Sequence, residues 1–363
     1  MKDLKNYLSQ KINEDRFTGY SLSVSKEGKK VRSLSDGYAT LVPEKIEAKE
    51  NTIYDLASIT KPVATSLLIA ILYQNKLVDF NTPIKSYFKK LPDEKKNITV
   101  LQLLTHSSGI IPWKPLYYKS KGFENILENA LNAEMEDEPG KRVIYSCINY
   151  VILKGIIEKV TQDSYENLFN KLIKGKLGLK NTFFSPPKEL KEKISATEDG
   201  NKYERASSKK LFGINIPERE GVIWGEVHDG NSFYSGGTAG NAGLFSTAEE
   251  TAILGQQFLK NYSSLLEPEI AELFLKDFTS FSPIRRSIGL ILPDTDTSVI
   301  SSPPFSKKAG YHNGFTGTSL AIDSDKNIVI AFLSNRVHPY VREELPKDVF
   351  TYVYTYILRE LNV

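Results

Sequence analysis

The chain has 363 residues, of which 40% are hydrophobic and 11% aromatic, so it is long enough and apolar enough to bury a sizeable core. Its formal net charge is only +3, and the charged residues are mixed in sign. This argues against the concentrated basic face of a nucleic-acid-binding or membrane-surface protein. Three basic pairs are interpreted as solvated loop charges: Lys209-Lys210, Arg285-Arg286 and Lys307-Lys308.

The cysteine count and the N-terminal segment indicate the cellular compartment in which the protein is expected. The sole cysteine is Cys147, so no intramolecular disulfide can form. The first residues, MKDLKNYLSQKINEDRF, are charged throughout and lack the apolar region of a signal peptide. No stretch approaches the roughly 18 apolar residues of a membrane span. We therefore expect a soluble cytoplasmic protein without a membrane partner, or an extracytoplasmic one if a leader has been removed.

The first predicted elements are a helix, a β-hairpin and a second helix. Apolar residues recur at helical spacing in 4–12, which predicts an amphipathic helix. Residues 20–24 and 30–34 alternate in polarity and are separated by a short turn containing Gly28, which is typical of a hairpin. The strongly apolar run 59–77 predicts the next helix, with its proline in the first turns, where a missing N–H is tolerated.

The remaining chain is predicted to be helical first and then to return to strands. Helical patterns occupy 98–106, 149–160 and 251–266, strand patterns occupy 287–292, 318–323 and 328–335, and a last helix spans 345–361. We therefore predict one α/β (α+β) domain, 1–363, whose antiparallel sheet is flanked by the N- and C-terminal helices. The sheet part would comprise 1–62 and 281–363, and 63–280 would form a mostly helical insertion.

The segment Ser58-Ile59-Thr60-Lys61 is the first candidate for chemistry. Positions three apart share a helix face, so Ser58 Oγ and Lys61 Nζ can meet. A serine alcohol is a poor nucleophile until a nearby group accepts its proton. A lysine buried against apolar neighbours can do so, because desolvation lowers its pKa from about 10.4. The tetrapeptide alone is weak evidence, since many helices contain it by chance.

Further motifs follow in order, and together they are specific. They are LTHSSG (104–109), YSCINY (145–150), AGLFSTA (242–248) and HNGFTGT (312–318). With these motifs the sequence resembles the class C β-lactamase, D-alanyl-D-alanine-peptidase (penicillin-binding-protein-like) and esterase superfamily from about residue 17 to residue 340. The stretches 225–250 and 334–339 look closest to a branch of serine hydrolases related to penicillin-binding proteins.

The resemblance implies an acyl-transfer site. Ser58 would attack the acyl carbon with Lys61 beside it, and Tyr145 would shuttle protons as general base and then acid. A phenol titrates near 10, and a Lys61 cation would lower that pKa. His312 occupies the third-motif position on a predicted pocket-lining edge strand, where many relatives have lysine.

The resemblance also implies an oxyanion hole and a substrate pocket. The backbone N–H groups of Ser58 and Phe315 would hold the oxyanion. Cys147, Asn149, Gly314 and Phe315 would line the pocket.

Two departures from the family pattern affect the expected substrate. Cys147 replaces an asparagine whose amide could bind a substrate carbonyl, and a thiol donates only weakly; Asn149 is a less convincing substitute. His312 replaces lysine, and a histidine that is mostly neutral at pH 7 holds a carboxylate less firmly. Both changes favour an esterase or an unspecific amidase over a penicillinase or a strict D,D-carboxypeptidase.

Other interpretations of these residues are weaker. Cys147 has no partner histidine in the local sequence that would make it a nucleophile. The run 236–243, GGTAGNAG, lacks the Gly-Lys-Ser/Thr ending of a phosphate loop and is interpreted as a tight turn near the pocket. His228-Asp229 could supply only two metal ligands, and His106 is interpreted as structural within its turn. No Gly-x-Ser-x-Gly elbow is present.

The sequence therefore predicts a serine hydrolase acting through an acyl-enzyme, with no cofactor, metal or nucleic-acid partner. Small esters are the first expected substrates, and D-amino-acid amides or peptides the second. A β-lactamase and a non-catalytic binding or regulatory protein that keeps the fold remain alternatives. The sequence does not indicate the oligomeric state.

Overall fold

The computed structural model describes residues 1–293, 305–344 and 346–363. The strands are β1 (Gly19–Lys26), β2 (Lys29–Thr40), β3 (Ile46–Glu47), β4 (Tyr54–Asp55), β5 (Phe245–Ser246), β6 (Ala309–Gly314), β7 (Thr318–Asp323) and β8 (Ile328–Ser334). The helices are α1 (Lys2–Asn13), α2 (Leu67–Gln74), α3 (Val100–Leu104), α4 (Phe123–Leu131), α5 (Cys147–Thr161), α6 (Tyr165–Phe169), α7 (Gly175–Leu177), α8 (Lys202–Phe212), α9 (Gly230–Tyr234), α10 (Ala248–Gln256), α11 (Pro268–Glu272) and α12 (Lys347–Glu360). Within these ranges no helix combines the length and the apolar character needed to cross a bilayer.

The main sheet is built from the two ends of the chain, as predicted. Among the described residues it has six antiparallel strands in the order β3-β2-β1-β8-β7-β6. The predicted hairpin forms β1 and β2, and Glu27 and Gly28 both adopt positive φ in the two-residue turn, which suits the twist of the strands. The order places β6, which carries His312, at the edge of the sheet.

Helices cover both faces of the sheet. The apolar positions of β1, such as Leu22, pack with α1 and α12 in one core. The alternate positions are small serines, and α10 lies on that face: Gly255 of this helix contacts Val329, and Gln256 Nε2 donates to Ser25 Oγ at 2.6 Å. The chain therefore returns to the sheet within the stretch 63–280 that the sequence assigned to the helical part.

Two element predictions need correction. The predicted strand 287–292 makes only isolated bridges, because Gly289 adopts φ +131 and packs against Pro62. The long helix predicted over 59–77 is divided into a 3₁₀ turn (Ala57–Ile59), a π-helical turn (Lys61–Ser66) and α2. Leu345, the predicted start of the last helix, lies outside the described residues, and α12 itself is confirmed.

Candidate active site

Ser58 is presented by a tight turn that follows β4. The preceding Ala57 has φ +46, an uncommon conformation for a residue with a side chain. Asp55 holds this turn: its Oδ1 accepts from Ala57 N–H at 2.8 Å, and its Oδ2 accepts from His228 N–H at 2.8 Å. Ser58 is partly exposed although its neighbours are buried, so the turn directs its hydroxyl to a cleft.

Lys61 lies one turn later and contacts Ser58, as predicted. Its Nζ donates to Ser58 Oγ at 2.8 Å and to the backbone carbonyl of Asn241 at 3.0 Å. Burial by itself lowers the pKa of Lys61, but interactions with Cys147, Tyr145 and Asp229 outweigh burial and raise this pKa above its usual value. The expected lowering of the lysine pKa is therefore wrong, and Lys61 is a cation at neutral pH.

Tyr145 lies two residues before the start of α5 and is the third member of the group formed with Ser58 and Lys61. Its ring centroid lies 5.1 Å from Lys61 Nζ. Hydrogen bonds with Lys61 and Ser58 act to lower the pKa of its hydroxyl group. Burial raises the pKa of the phenol above 10, and the opposing effect of the Lys61 cation is smaller. The expected net lowering is not found, so the resting pair is an ammonium and a neutral phenol.

His106 positions Tyr145, a role that the sequence did not reveal. The backbone carbonyl of His106 accepts from Ile144 N–H at 2.8 Å, and its Nδ1 accepts from Ser146 N–H at 3.0 Å. These bonds hold the residues on both sides of the tyrosine, and the two rings lie 4.5 Å apart. The only feature of the sequence that pointed to His106 was its place in the LTHSSG motif (104–109).

The end of β6 packs directly against the turn that presents Ser58. A Cβ at Gly314 would lie 2.5 Å from the Leu56 carbonyl, so glycine is required for this approach. Thr318 Oγ1 donates to the same carbonyl at 3.0 Å. Phe315 follows, and its own carbonyl accepts from Arg336 Nη2 at 2.7 Å. Ser58 and Phe315 thus border one cleft, and the assignment of their N–H groups to an oxyanion hole stays a prediction.

His312 faces the cleft as a neutral imidazole. Burial, Lys61 and Arg286 together lower its pKa well below 6.5. Its Nδ1 lies 2.9 Å from the Asn313 carbonyl, which only accepts, so Nδ1 carries the proton. Its Nε2 is therefore a buried acceptor, without a partner among the described residues. A neutral imidazole cannot replace the charge of the lysine that many relatives have here.

Arg286 supplies a cation that the sequence analysis missed, since it was interpreted as a solvated loop charge. The side chain is only 4% exposed and lines the same cleft. Its Nε and Nη1 have no hydrogen-bond partner within the described residues, and its guanidinium carbon lies 5.3 Å from the Tyr145 ring centroid. Such buried unpaired donors are rare in folded proteins, and each one requires an explanation.

The cleft has a volume of about 620 Å³, within the range of small-molecule sites. Ser58, Tyr145, Cys147, Arg286, His312, Gly314 and Phe315 are among its lining residues. Asn149, predicted for the pocket, is fully buried outside it, because its Oδ1 accepts from Ser108 Oγ at 2.7 Å. The described residues contain no group of three or more His, Cys, Asp or Glu side chains that could hold a metal ion.

Comparisons with known proteins agree with this geometry. The β-lactamase family profile matches residues 4–350. A protein of Salmonella enteritidis PT4 named "Putative D-alanyl-D-alanine carboxypeptidase" is 31% identical, over 92% of this chain and 82% of the relative. The octameric penicillin-binding protein homologue from Pyrococcus abyssi has a similar fold, with a TM-score of 0.74 and 23% identity over 99% of this chain and 77% of that one.

The fold also resembles EstCE1, described as a hydrolase with promiscuous acyltransferase activity. The TM-score is 0.72 at 17% identity, covering 96% of this chain and 98% of that one. The expected resemblance and fold class are thus confirmed by sequence and by structure. The chain belongs to the β-lactamase family, a family of hydrolases.

Proposed function

We propose that the chain is a serine hydrolase that cleaves short peptides or amides ending in a free carboxylate, in the manner of a carboxypeptidase. The observation that carries the proposal is the contact of Lys61 Nζ with Ser58 Oγ at 2.8 Å, on a cleft that also holds the unpaired Arg286. The name of the Salmonella relative supports the same class.

The chemistry needs the Lys61–Tyr145 pair to lose one proton first. In that form the pair accepts the Ser58 proton while Oγ bonds to the substrate carbonyl carbon. The carbonyl electrons move to oxygen, where the N–H groups of Ser58 and Phe315 would stabilise the charge. Collapse of the intermediate breaks the bond to the leaving group, which takes a proton from the pair. Water then repeats the sequence and releases the acid.

Arg286 supports the preference for a carboxylate. A guanidinium binds carboxylates through paired hydrogen bonds, and this one is desolvated and has donors to offer. The positive charge of Arg286 compensates for the weaker carboxylate binding expected of His312. Arg286 comes from a different segment of the chain, so the loss of the family's lysine at position 312 does not leave the cleft without a cation. The neutral Nε2 of His312 is then suited to accept from the N–H of the scissile amide.

Ester hydrolysis is a second candidate, and Cys147 favours it. This residue lines the cleft where the family pattern has an asparagine, so one hydrogen bond to a peptide carbonyl is weakened. An ester is intrinsically easier to cleave and depends less on such positioning.

The test compares wild type with Ser58→Ala on p-nitrophenyl butyrate and on D-alanyl-D-alanine peptides. Wild type should turn over, and the variant should lose roughly a thousandfold or more in kcat. A peptide with a free C-terminal carboxylate should be cleaved faster than its C-terminal amide. Equal and slow turnover by both proteins would favour a non-catalytic binding protein. Equal and fast turnover would place the nucleophile elsewhere.

A further inference from the structure

The side of the cleft formed by α8 carries apolar side chains that are open to solvent. Tyr203, Ser207 and Leu211 lie four residues apart on this helix, so they share the face that lines the cleft. Leu211 is 64% exposed, the highest value among the large hydrophobic side chains of the described residues, and Tyr203 is 48% exposed. A single exposed leucine is ordinary, whereas adjoining apolar side chains along a ligand cleft indicate a binding surface.

Phe315 connects this surface to the Ser58 end of the cleft. The ring centroids of Tyr203 and Phe315 lie 5.1 Å apart, and Phe315 lines the same cleft as Ser58. The Phe315 ring also stacks on that of His228, with centroids 5.6 Å apart. Aromatic rings at these separations are in contact. The apolar surface is therefore continuous from Phe315 to α8.

At its far end the surface reaches Trp113. Tyr203 and Leu211 are eight residues apart on α8, which places them about 12 Å apart along the helix axis. Phe212 follows Leu211, and its ring centroid lies 6.0 Å from that of Trp113, which also lines the cleft. We call Phe315, Tyr203, Leu211 and Trp113 the apolar row. The row is longer than one small side chain, and it suits an extended hydrocarbon chain.

Two acidic residues border the apolar row without giving it a strong charge. Glu204 is 8% exposed, and its Oε1 accepts from Tyr117 OH at 3.0 Å. Burial, and to a lesser extent Asp229, raise the pKa of Glu204 to about 8, so this carboxyl group is mostly uncharged at neutral pH. Asp229 is the N-cap of α9, where its Oδ1 accepts from Ser232 N–H at 2.8 Å. The face of α8 that lines the cleft is therefore close to uncharged at neutral pH.

Distances separate the acyl side of the cleft from its leaving-group side. The guanidinium carbon of Arg286 lies 5.3 Å from the ring centroid of Tyr145, the residue that would return a proton to the leaving group. Phe315, whose N–H would hold the carbonyl oxygen, instead contacts Tyr203. A substrate with its carboxylate at Arg286 would therefore extend its acyl group toward the apolar row.

We propose that the apolar row binds the acyl chain of the substrate, so that the cleft selects amino acids N-acylated with a medium-length apolar acid. The chain would lie along α8, and the free carboxylate would lie at Arg286. Hydrolysis would break the amide C–N bond, the acyl carbon gaining the hydroxyl of water and the amine gaining its proton. This inference rests on the proposed carboxypeptidase-like function and names the acyl group of its substrates.

The experiment measures kcat/KM for N-octanoyl-D-alanine and for N-acetyl-D-alanine, which share the scissile amide and the free carboxylate. Wild type should prefer the octanoyl substrate by roughly thirtyfold or more, because each methylene that leaves water adds to binding even on a partly open surface. Leu211→Ala shortens the apolar row and should reduce this ratio by roughly three- to tenfold. Ser207→Asp places a charge beside the chain and should reduce it at least as much.

Leu77→Ala is the matched control, because Leu77 is 55% exposed and does not line the cleft, and it should leave the ratio unchanged. A general loss of folding or of catalysis affects both substrates alike and does not change the ratio. A lower ratio in Leu211→Ala or Ser207→Asp supports the apolar row. Equal kcat/KM values for the two substrates in wild type, or a ratio that neither substitution lowers, would overturn it.

The failure of this inference is distinguishable from the failure of the proposed function. Cleavage of D-alanyl-D-alanine peptides but not of N-octanoyl-D-alanine would overturn the apolar row and leave the carboxypeptidase-like function standing. Should wild type cleave none of these compounds, the proposed function has failed, and calorimetry on Ser58→Ala decides the inference. Tighter binding of N-octanoyl-D-alanine than of N-acetyl-D-alanine, weakened in Ser58→Ala/Leu211→Ala, supports the apolar row; equal binding of the two contradicts it.

Discussion

The core beneath the terminal helices and the wall of the cleft are equally buried, yet they bury opposite kinds of side chain. Between the sheet and α1 and α12, residues such as Leu22 and Phe332 are at most 1% exposed and apolar. Of the polar residues around the cleft, Arg286 and His312 line its wall and Lys61 lies behind Ser58; all three are at most 4% exposed, and the first two have unpaired nitrogens. Apolar burial stabilises the fold, whereas unpaired polar burial opposes it. Substitutions in the two regions should therefore separate stability from activity.

Tyr145→Phe should show the largest loss of activity with little loss of stability. Removing the hydroxyl removes the group that we propose shuttles protons, so kcat should fall by roughly a hundredfold to ten-thousandfold. Tyr150→Phe is the matched control, because the Tyr150 ring centroid also lies near Lys61, at 5.8 Å from its Nζ. The Tyr150 hydroxyl, however, contacts Ser66 and the Leu104 carbonyl and not Ser58. Equal losses in both variants would show that Tyr145 acts only through packing.

Phe332→Ala should have the reverse effect. This ring is fully buried and packs on Tyr20, Phe17 and Phe350, so its loss should reduce the free energy of unfolding by about 3–5 kcal/mol. Denaturant unfolding measures that loss, and active-site titration gives kcat per folded molecule, which should stay within about twofold of wild type. A large fall in kcat of the folded molecules would mean that the two regions are coupled.

Arg286→Met should sharpen the comparison, because it replaces an unpaired buried charge with an apolar side chain and removes the proposed contact with the substrate carboxylate. The activity on peptides with a free carboxylate should fall by roughly 10- to 150-fold, and the stability should be unchanged or higher by about 1–3 kcal/mol. Arg285→Met is the neighbouring control, since Arg285 is 39% exposed and pairs with Asp277 at 3.0 Å. A loss of stability in Arg286→Met without a change in substrate preference would make Arg286 a structural residue.

The pH profile tests the resting protonation of the Lys61–Tyr145 pair without any substitution. The base form of the Lys61–Tyr145 pair is scarce, because both pKa values lie above their usual ranges. Activity should therefore rise with pH, by about tenfold per unit between pH 6 and 9, as the reacting group loses its proton. His312 has a pKa well below 6.5 and should add no inflection near that pH in the hydrolysis of an uncharged ester. An inflection near 6.5 that is lost in His312→Gln would contradict the neutral imidazole.

The sequence was informative about the fold wherever a pattern has a local cause. The alternation of apolar residues and the turn residues between them predicted the hairpin of β1 and β2, and apolar residues at helical spacing predicted α1 and α12. It was wrong for 287–292, where an apolar run with a glycine at φ +131 bends instead of pairing. Strand β6 was expected only from the family resemblance, which placed His312 on an edge strand; its own residues alternate weakly, and the strand is defined by pairing with β7.

The site was predictable only where it follows a motif. Ser58, Lys61, Tyr145 and His312 meet at one cleft because each lies in a short recognisable segment. Arg286 was missed because a basic pair in a loop looks solvated, and only tertiary packing buries one arginine and exposes the other. The pKa shifts were also misjudged, since their signs depend on burial and on neighbours brought from distant segments.

The claim that Ser58 is the nucleophile of this cleft is tested most directly by covalent labelling with a fluorophosphonate followed by intact-mass and peptide analysis. We predict one adduct, on the peptide that contains Ser58, absent in Ser58→Ala and formed more slowly in Tyr145→Phe. An adduct on another residue, such as Cys147, or equal labelling of wild type and Ser58→Ala, would contradict the account.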